Sequence, residues 1–122
     1  MPCQGVTFGN GRFIAVGAAG IAHSFNAMDW SIVNTMGYFM SVTYGNGRFV
    51  VVGSHGRMAH STNGINWTQI TVGTNHWTSV TYGNGRFVAV GSHGRMAHST
   101  NGINWTQITV GSRSWFSVTS RD

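Results

Sequence analysis

The fold is decided by the stretch Ser41–Thr78, which reads SVTYGNGRFVVVGSHGRMAHSTNGINWTQITVGTNHWT. Residues Ser79–Phe116 repeat it directly with 33 of 38 positions identical, and four of the five differences lie within Thr74–Thr78. A third, more diverged copy opens the chain, where Val6–Phe13 matches Val42–Phe49. Repeats of this length, made of short apolar runs separated by glycine turns, are typical of folds in which one repeat cannot bury its own apolar face. We therefore expect a repeat architecture.

The composition favours β-structure. The 122 residues include no Leu, Lys or Glu, which are among the residues that fill helices, whereas Val, Ile, Thr, Phe, Tyr and Trp are abundant. Each of the 18 glycines would cost a helix interior about 1 kcal/mol. The hydrophobic content of 41% is ordinary for a globular domain. We predict a single all-β domain over residues 1–122.

Each repeat predicts four short strands, which we name A to D. In the third repeat, Trp77–Tyr82 alternates apolar and polar residues and leads into Arg86–Gly91 through an Asn-Gly turn, whose positive φ angles suit a hairpin. Two further runs, Arg95–Ser99 and Trp105–Val110, complete an antiparallel meander. The corresponding strands of the first copy are Gly5–Phe8, Arg12–Gly17, Gly20–Ser24 and Trp30–Asn34.

Four-stranded repeats about 40 residues long are typical of the blades of a β-propeller. We predict about three blades, over residues 3–38, 39–76 and 77–114, with an extra strand at residues 115–119. In this architecture the B–C loops and the D–A loops between blades emerge on one face of the ring, and the A–B and C–D loops emerge on the other.

The C–D loop resembles a known motif. Ser61–Trp67 and Ser99–Trp105 both read STNGINW, which is similar to the Asp-box, or bacterial neuraminidase repeat, that joins strands C and D in its propeller families. Asn63 and Asn101 stand where the motif has Asp, the loop is one residue shorter than the commonest form, and the first copy has decayed to Ser24–Trp30. The resemblance covers all three repeats and implies a propeller. It implies no single function, because such boxes occur in enzymes, lectins, assembly factors and phage proteins.

The residues of this box have structural roles that follow from their chemistry. Asn63 is expected to accept hydrogen bonds from backbone amides of its own turn, and Trp67 is expected to bury its ring against the neighbouring blade. His23, His60 and His98 lie on the predicted C strands, where we expect half-buried imidazoles rather than metal ligands.

The sequence lacks the residues of an enzyme active site. It has no Glu, and its two acids, Asp29 and Asp122, do not lie in repeated turns that face a common centre, so two-carboxylate glycoside hydrolysis has no candidates. Cys3 is alone, which excludes an intrachain disulfide or a cysteine-built zinc site. We predict no catalytic residue, metal or cofactor. The sequence contains no apolar run long enough to predict a membrane span, and it encodes no compartment.

The best candidates for ligand binding lie in the B–C and D–A loops, which propeller geometry places on one face. These loops combine aromatic rings, planar donors and imidazoles, the side chains of a shallow sugar or anion site. The D–A loop also holds four of the five differences between the near-identical repeats, which fits either a relaxed loop or altered contacts. The candidate residues are His55, Arg57, Asn75, His76, Trp77, His93, Arg95, Arg113 and Trp115.

Three functions fit these features. The favoured one is a carbohydrate-binding or adhesion module, suited to an extracellular or cell-surface setting, because Trp, His, Arg and Asn recur in the loops of one face. The alternative is a structural or self-assembling propeller, engineered or recently amplified, whose selected property is the closed ring. The third is polyanion or nucleic-acid binding through seven Arg and five Trp at a net charge of +5. It ranks last because the chain has no Lys and no recognised nucleic-acid motif.

Ring closure requires more blades than one chain provides. Propellers close with roughly 4–8 blades, so three blades leave two open faces. We predict a homodimer that forms one six-bladed ring, in which the first blade of each chain meets the third blade of its partner. The extra strand, Trp115–Thr119, is predicted to pair at this seam.

Overall fold

In the computed structural model, the described residues are 3–18, 20–34 and 37–109. They form β-strands and two single 3₁₀ turns, Ser54–Gly56 and Ser92–Gly94. The all-β prediction is confirmed. The strands are β1 Cys3–Gly9, β2 Arg12–Gly17, β3 Gly20–Ser24, β4 Ser31–Asn34, β5 Phe39–Gly45, β6 Arg48–Gly53, β7 Arg57–Ser61, β8 Thr68–Thr71, β9 Trp77–Gly83, β10 Arg86–Gly91, β11 Arg95–Ser99 and β12 Thr106–Thr109.

Each set of four consecutive strands forms one antiparallel sheet, in which neighbours in sequence are also neighbours in space. We call β1–β4 blade 1, β5–β8 blade 2 and β9–β12 blade 3. Three such meanders in succession are three blades of a β-propeller, as the repeat predicted. The predicted extra strand at residues 115–119 lies outside the described residues. Within the described ranges, no helix is both long and apolar enough to cross a membrane.

The A–B hairpins turn at Asn-Gly. Asn46 and Gly47 have φ angles of 49° and 75°, and the corresponding pairs of the other two blades have nearly the same values. Positive φ at both central residues is the geometry of a turn whose twist matches that of the flanking strands. The predicted tight turns are therefore confirmed in all three blades.

The hydrophobic core lies between the blades. β6 carries a continuous apolar run because both of its faces are covered. Phe49 and Val51 face blade 1 and share a cluster with its residues, whereas Val50 and Val52 face blade 3 and share a second cluster. All four side chains are fully buried. The middle blade thus stabilises the structure by packing on both sides at once.

Adjacent blades also interlock where strand A ends. Gly9 of blade 1 is buried under the ring of Tyr44 from blade 2, and Gly45 of blade 2 is buried under the ring of Tyr82 from blade 3. A Cβ at either glycine would overlap that ring, so glycine is required for the close approach. The next glycine in this series, Gly83 of blade 3, is only half-buried.

Among the described residues, nothing makes this contact with the outer face of blade 1. Val6 and Phe8 of β1 are 62% and 56% exposed. The counterparts of Val6, which are Val42 and Val80, are buried between blades, and the counterparts of Phe8 are the tyrosines that lie over Gly9 and Gly45. Within the described residues, the outer face of blade 1 therefore presents a surface of the kind that the inner contacts bury. The ring of Phe8 lies 4.7 Å from that of Phe13, its neighbour within blade 1.

Candidate functional site

The B–C turns form the first part of the predicted ligand face. In blade 2 the turn is the 3₁₀ segment Ser54–Gly56, in which His55 and Gly56 have φ angles of 57° and 76°. The Ser54 amide donates to the Tyr38 carbonyl at 3.1 Å, and the Val72 amide donates to the Gly56 carbonyl at 2.8 Å. Loops predicted to share a face therefore do lie together, held by backbone hydrogen bonds.

His76 links two blades within this face. Its Nδ1 accepts a hydrogen bond from the His55 amide at 3.2 Å, and the two imidazole rings meet edge to face with centroids 5.1 Å apart. Its backbone carbonyl accepts from the Ser92 amide of the next B–C turn at 3.0 Å. Both histidine side chains are exposed. The D–A loop thus joins the B–C turns of blades 2 and 3 through one residue.

The remaining candidates of this face are dispersed. The Arg57 guanidinium lies against Gly37, where a Cβ would overlap it. Arg95 donates from Nη1 to Gln107 Oε1 at 3.1 Å, within its own blade. His93 is exposed and Asn75 is half-buried. The two other predicted site residues, Arg113 and Trp115, lie outside the described residues.

Trp77 does not fit its predicted role as an aromatic platform. It is 1% exposed, belongs to the cluster between blades 2 and 3, and donates from Nε1 to the Val72 carbonyl at 2.9 Å. The equivalent residue between blades 1 and 2 is the fully buried Phe39. The ring at this position fills the interblade core, because the first residue of strand A points between the sheets.

The C–D boxes lie on the opposite face. Asn63 Oδ1 accepts from the amides of Ile65 and Asn66, both at 2.9 Å, and the Ser61 hydroxyl accepts from the Gly64 amide at 2.8 Å. The predicted hydrogen-bond role of Asn63 is confirmed. Blade 3 repeats the same bonds.

The prediction that Trp67 packs towards the neighbouring blade is supported in part. Its ring is half-buried and packs against Phe49 of its own blade, with centroids 6.4 Å apart, at the margin of the cluster shared with blade 1. Its Nε1 donates to the Gly64 carbonyl at 3.0 Å. The indole therefore closes its own loop and covers the edge of the cluster shared with blade 1, whereas Phe39 at the start of strand A is fully buried in that cluster.

The box of blade 1 is geometrically intact, although its sequence reads as decayed. Asn26 Oδ1 accepts from the amides of Met28 and Asp29 at 2.9 Å, and Trp30 Nε1 donates to the Ala27 carbonyl at 3.1 Å. Ala27 takes the left-handed φ of 66° that glycine takes in the other boxes. The hydrogen-bond donors are mostly backbone amides, so the geometry survives side-chain changes at the other loop positions.

An arginine clasp between blades is the feature that the sequence analysis missed. Arg12 of blade 1 donates from Nη1 to the Asn63 carbonyl in the box of blade 2, and Arg48 of blade 2 donates to the Asn101 carbonyl of blade 3, each at 2.6 Å. The sequence signal was the arginine that follows every Asn-Gly turn. The third member, Arg86, is exposed, and its Nη1 lies 3.5 Å from His98 Nδ1 of the same blade.

The C-strand histidines are half-buried as predicted. Burial lowers the pKa of His60, and the nearby positive charge of Arg48 lowers it further. The pKa of His23 is lowered in the same way, first by burial and then by Arg12. Burial and the neighbouring arginine thus both lower the pKa in the direction that favours the neutral imidazole beside each clasp.

A groove of about 350 Å³ runs along the outer rim between blades 2 and 3. It combines the half-buried indole of Trp105 with exposed amide side chains from the same blade and with aliphatic side chains from both blades. Its lining residues are Ile70, Thr71, Val72, Gly73, Ile103, Asn104, Trp105 and Gln107. None of them was a predicted site residue.

The ionisable residues of the described chain do not assemble into a reactive cluster. Across residues 3–18, 20–34 and 37–109, no group of three or more His, Cys, Asp or Glu side chains lies close enough to hold a metal ion. Asp29 is the one acid in those ranges, and its Oδ2 accepts from Asn26 Nδ2 at 3.0 Å in the box of blade 1.

No protein-family model and no curated protein matches the chain. Solved structures match its fold. YCF48 from Cyanidioschyzon merolae superposes with a TM-score of 0.73 at 22% identity, covering 90% of this chain and 38% of that one. An ancestral GH74 enzyme gives 0.71 at 20% identity, covering 87% and 18%. The WD40 β-propeller domain of Doa1 gives 0.73 at 14% identity, covering 92% and 42%.

These likenesses establish a β-propeller fold, of which the chain forms three blades. It spans less than half the length of each of these structures. The neighbours include an enzyme beside a WD40 domain and YCF48, so the fold does not decide whether the chain is catalytic. Assignment to the Asp-box type in particular stays a prediction.

Proposed function

We propose that this chain is a self-assembling propeller module that completes its ring with a second copy of itself. The observation that carries the proposal is the exposure of Val6 and Phe8 at 62% and 56% on the outer face of blade 1. The equivalent residues of blades 2 and 3 pack against the preceding blade. The surface of strand A that faces the preceding blade is thus buried in blades 2 and 3 and exposed in blade 1.

The partner of this face is the outer face of blade 3. Tyr44 and Tyr82 lie over Gly9 and Gly45, so Phe8 of one copy has a matching place over Gly83 of the other. Two copies related by a two-fold axis make this contact at both seams and give six blades, within the roughly 4–8 of known propellers. Each seam would bury apolar area like that of an interblade contact within the chain.

The expected result for the 122-residue chain is a mass about twice 13.2 kDa by native mass spectrometry and light scattering. Phe8→Asp should raise the dissociation constant at least about thirtyfold, because a carboxylate would be placed in an apolar contact without a partner. The measurement is sedimentation equilibrium over a range of protein concentrations.

A matched control lies in blade 2, whose two faces are both covered within the chain. Ile65→Asp also replaces an exposed apolar side chain, 41% exposed, and should leave the dissociation constant within about twofold of the parent chain's. A chain that stays monomeric at every concentration would overturn the proposal. So would a dimer that Phe8→Asp and Ile65→Asp affect equally.

We propose as a second function that the assembled module binds neutral glycans in the rim groove. The supporting observation is the groove itself, in which an indole lies beside the amides of Asn104 and Gln107. Aromatic faces pack on the apolar faces of sugars, and amides bond their hydroxyls. The face of the B–C and D–A loops supports this less well, because Trp77 is buried and the His55 amide bonds the His76 imidazole.

A glycan array followed by titration tests this second proposal. Gln107→Ala should weaken binding of an array-positive neutral saccharide by about threefold to tenfold through loss of a hydrogen bond. Gln69→Ala, the matching change one repeat earlier, lies outside the groove and should bind as the parent chain does. The glycan proposal is abandoned if no saccharide binds above background, or if both variants lose equal affinity.

We propose that the module is non-catalytic, since Asp29 is the one acid of the described residues and already bonds Asn26. Polyanion binding is the less supported alternative. Arg12 and Arg48 hold neighbouring blades together, and Arg95 bonds Gln107, so these guanidiniums are engaged within the fold.

A further inference from the structure

The interblade clasp repeats with a fixed direction. In each case the arginine that follows the A–B turn of one blade reaches the box of the next blade, where it bonds the carbonyl of the central Asn at 2.6 Å. Arg12 and Arg48, which make these bonds, are half-buried. Arg86 of blade 3 occupies the same repeat position but is exposed, since the described chain has no following box to receive it.

The box of blade 1 differs from the other two at one chemically important position. Where they carry Asn66 and Asn104, it carries Asp29. The Asp29 amide donates to Asn26 Oδ1 at 2.9 Å, and its carboxylate accepts from Asn26 Nδ2 at 3.0 Å. Asp29 therefore holds its negative charge beside Asn26. The Asn26 carbonyl corresponds to the carbonyls of Asn63 and Asn101, which accept the arginine hydrogen bonds in the other two boxes.

We propose that Arg86 of one copy clasps the Asn26 carbonyl of the other, and that Asp29 makes this seam electrostatically distinct from the contacts within a chain. The inference rests on the ring closure proposed above and assigns its partner-selecting residues. At the proposed seam, Arg86 bonds a box that carries the Asp29 carboxylate. At the two contacts within the chain, the arginine bonds a box that carries the neutral amide of Asn66 or Asn104.

This difference has a consequence for specificity. The Coulomb attraction favours the pairing of blade 3 with a box that carries Asp29 over pairing with the near-identical but neutral boxes. A repeat chain whose second and third copies match at 33 of 38 positions is prone to pair out of register, and a charge at one box reduces that tendency. Because Asp29 is exposed and a clasping arginine is only half-buried, as Arg12 and Arg48 are, the attraction is screened by salt.

The experiment measures the dimer dissociation constant of the full chain at about 50 and 500 mM NaCl, a range over which the Debye length falls severalfold. Arg86→Ala should raise the constant about tenfold through loss of a charge-assisted hydrogen bond. Asp29→Asn, which gives blade 1 the amide of the other two boxes, should raise it about threefold at low salt and flatten its salt dependence. The dissociation constant of the double variant should exceed that of Arg86→Ala by no more than about twofold, because both changes remove the same contact.

The matched control is Asn66→Asp, which places the same charge in the box of blade 2, where Arg12 makes the clasp inside one chain. It should leave the dissociation constant unchanged. Far-ultraviolet circular dichroism checks that each variant keeps the strand content of the parent. A parent dimer whose affinity and salt response survive Arg86→Ala and Asp29→Asn would overturn the clasp while leaving ring closure standing. A parent chain that never dimerises would overturn ring closure itself.

Discussion

Replacing Phe49 with alanine is expected to lower the free energy of unfolding by about 3–5 kcal/mol, the usual cost of deleting a buried aromatic ring. Phe49 is fully buried in the cluster between blades 1 and 2. Its ring lies 4.7 Å from that of Tyr44 and 6.4 Å from that of Trp67. The change removes the ring contacts of Phe49 with Tyr44 and with Trp67 of the C–D box. It leaves a cavity in the core between blades 1 and 2.

Urea denaturation at one fixed protein concentration measures this loss, since association would otherwise shift the apparent stability. The control is Ile108→Ala in the outer strand of blade 3, where the residue is 45% exposed. It should cost less than about 1 kcal/mol. Comparable losses for both variants would show that the region between blades 1 and 2 is not the stabilising core.

Gly56→Ala is expected to destabilise the protein by about 3 kcal/mol or more, and Gly47→Ala by about 1 kcal/mol. The two glycines have nearly the same φ, 76° and 75°, so both substitutions incur the left-handed backbone cost. They differ in surroundings. A Cβ at Gly56 would overlap the carbonyl of Gly73, whereas a Cβ at Gly47 meets nothing within 4 Å.

The difference between these variants isolates the contact of the B–C turn with the D–A loop. Thermal unfolding followed by circular dichroism should place Gly56→Ala well below Gly47→Ala in midpoint temperature. Loss of the hydrogen bond from the Val72 amide to the Gly56 carbonyl adds to the effect. Equal midpoints would mean that the loop moves aside at little cost and that the backbone bonds of this face contribute little.

The interblade contacts on the two faces differ in how far they depend on side-chain identity. On the box face, a guanidinium bonds the carbonyl of the central Asn of the next box, and the repeats Ser41–Thr78 and Ser79–Phe116 have identical boxes. On the other face the D–A loop is held mainly through backbone atoms, including the His76 carbonyl. Backbone contacts place few demands on side-chain identity, and three of the five differences between these two repeats lie in this loop, at Thr74, Asn75 and His76.

The strands, the hairpin turns and the box hydrogen bonds could be predicted from the sequence, because each depends on residues close together in the chain. The alternation of Trp77–Gly83 and the Asn46-Gly47 turn express local backbone preferences. Because the sequence contains three copies of the repeat, the same local pattern predicts the same strands and turns in each copy. Asn63 accepts hydrogen bonds from amides two and three residues away, so its role could also be predicted from the local sequence.

Which of the repeated side chains are buried was decided by the tertiary structure alone. Trp77 and Trp67 are both loop-flanking indoles, yet the first fills the interblade core and the second remains half-exposed. Arg12 finds its partner 51 residues away. Phe8 and Tyr44 occupy the same repeat position, but among the described residues Tyr44 lies over Gly9 of another blade whereas Phe8 is 56% exposed. A sequence repeat fixes what each blade offers to its neighbour, whereas burial depends on whether a neighbouring surface is present to receive it.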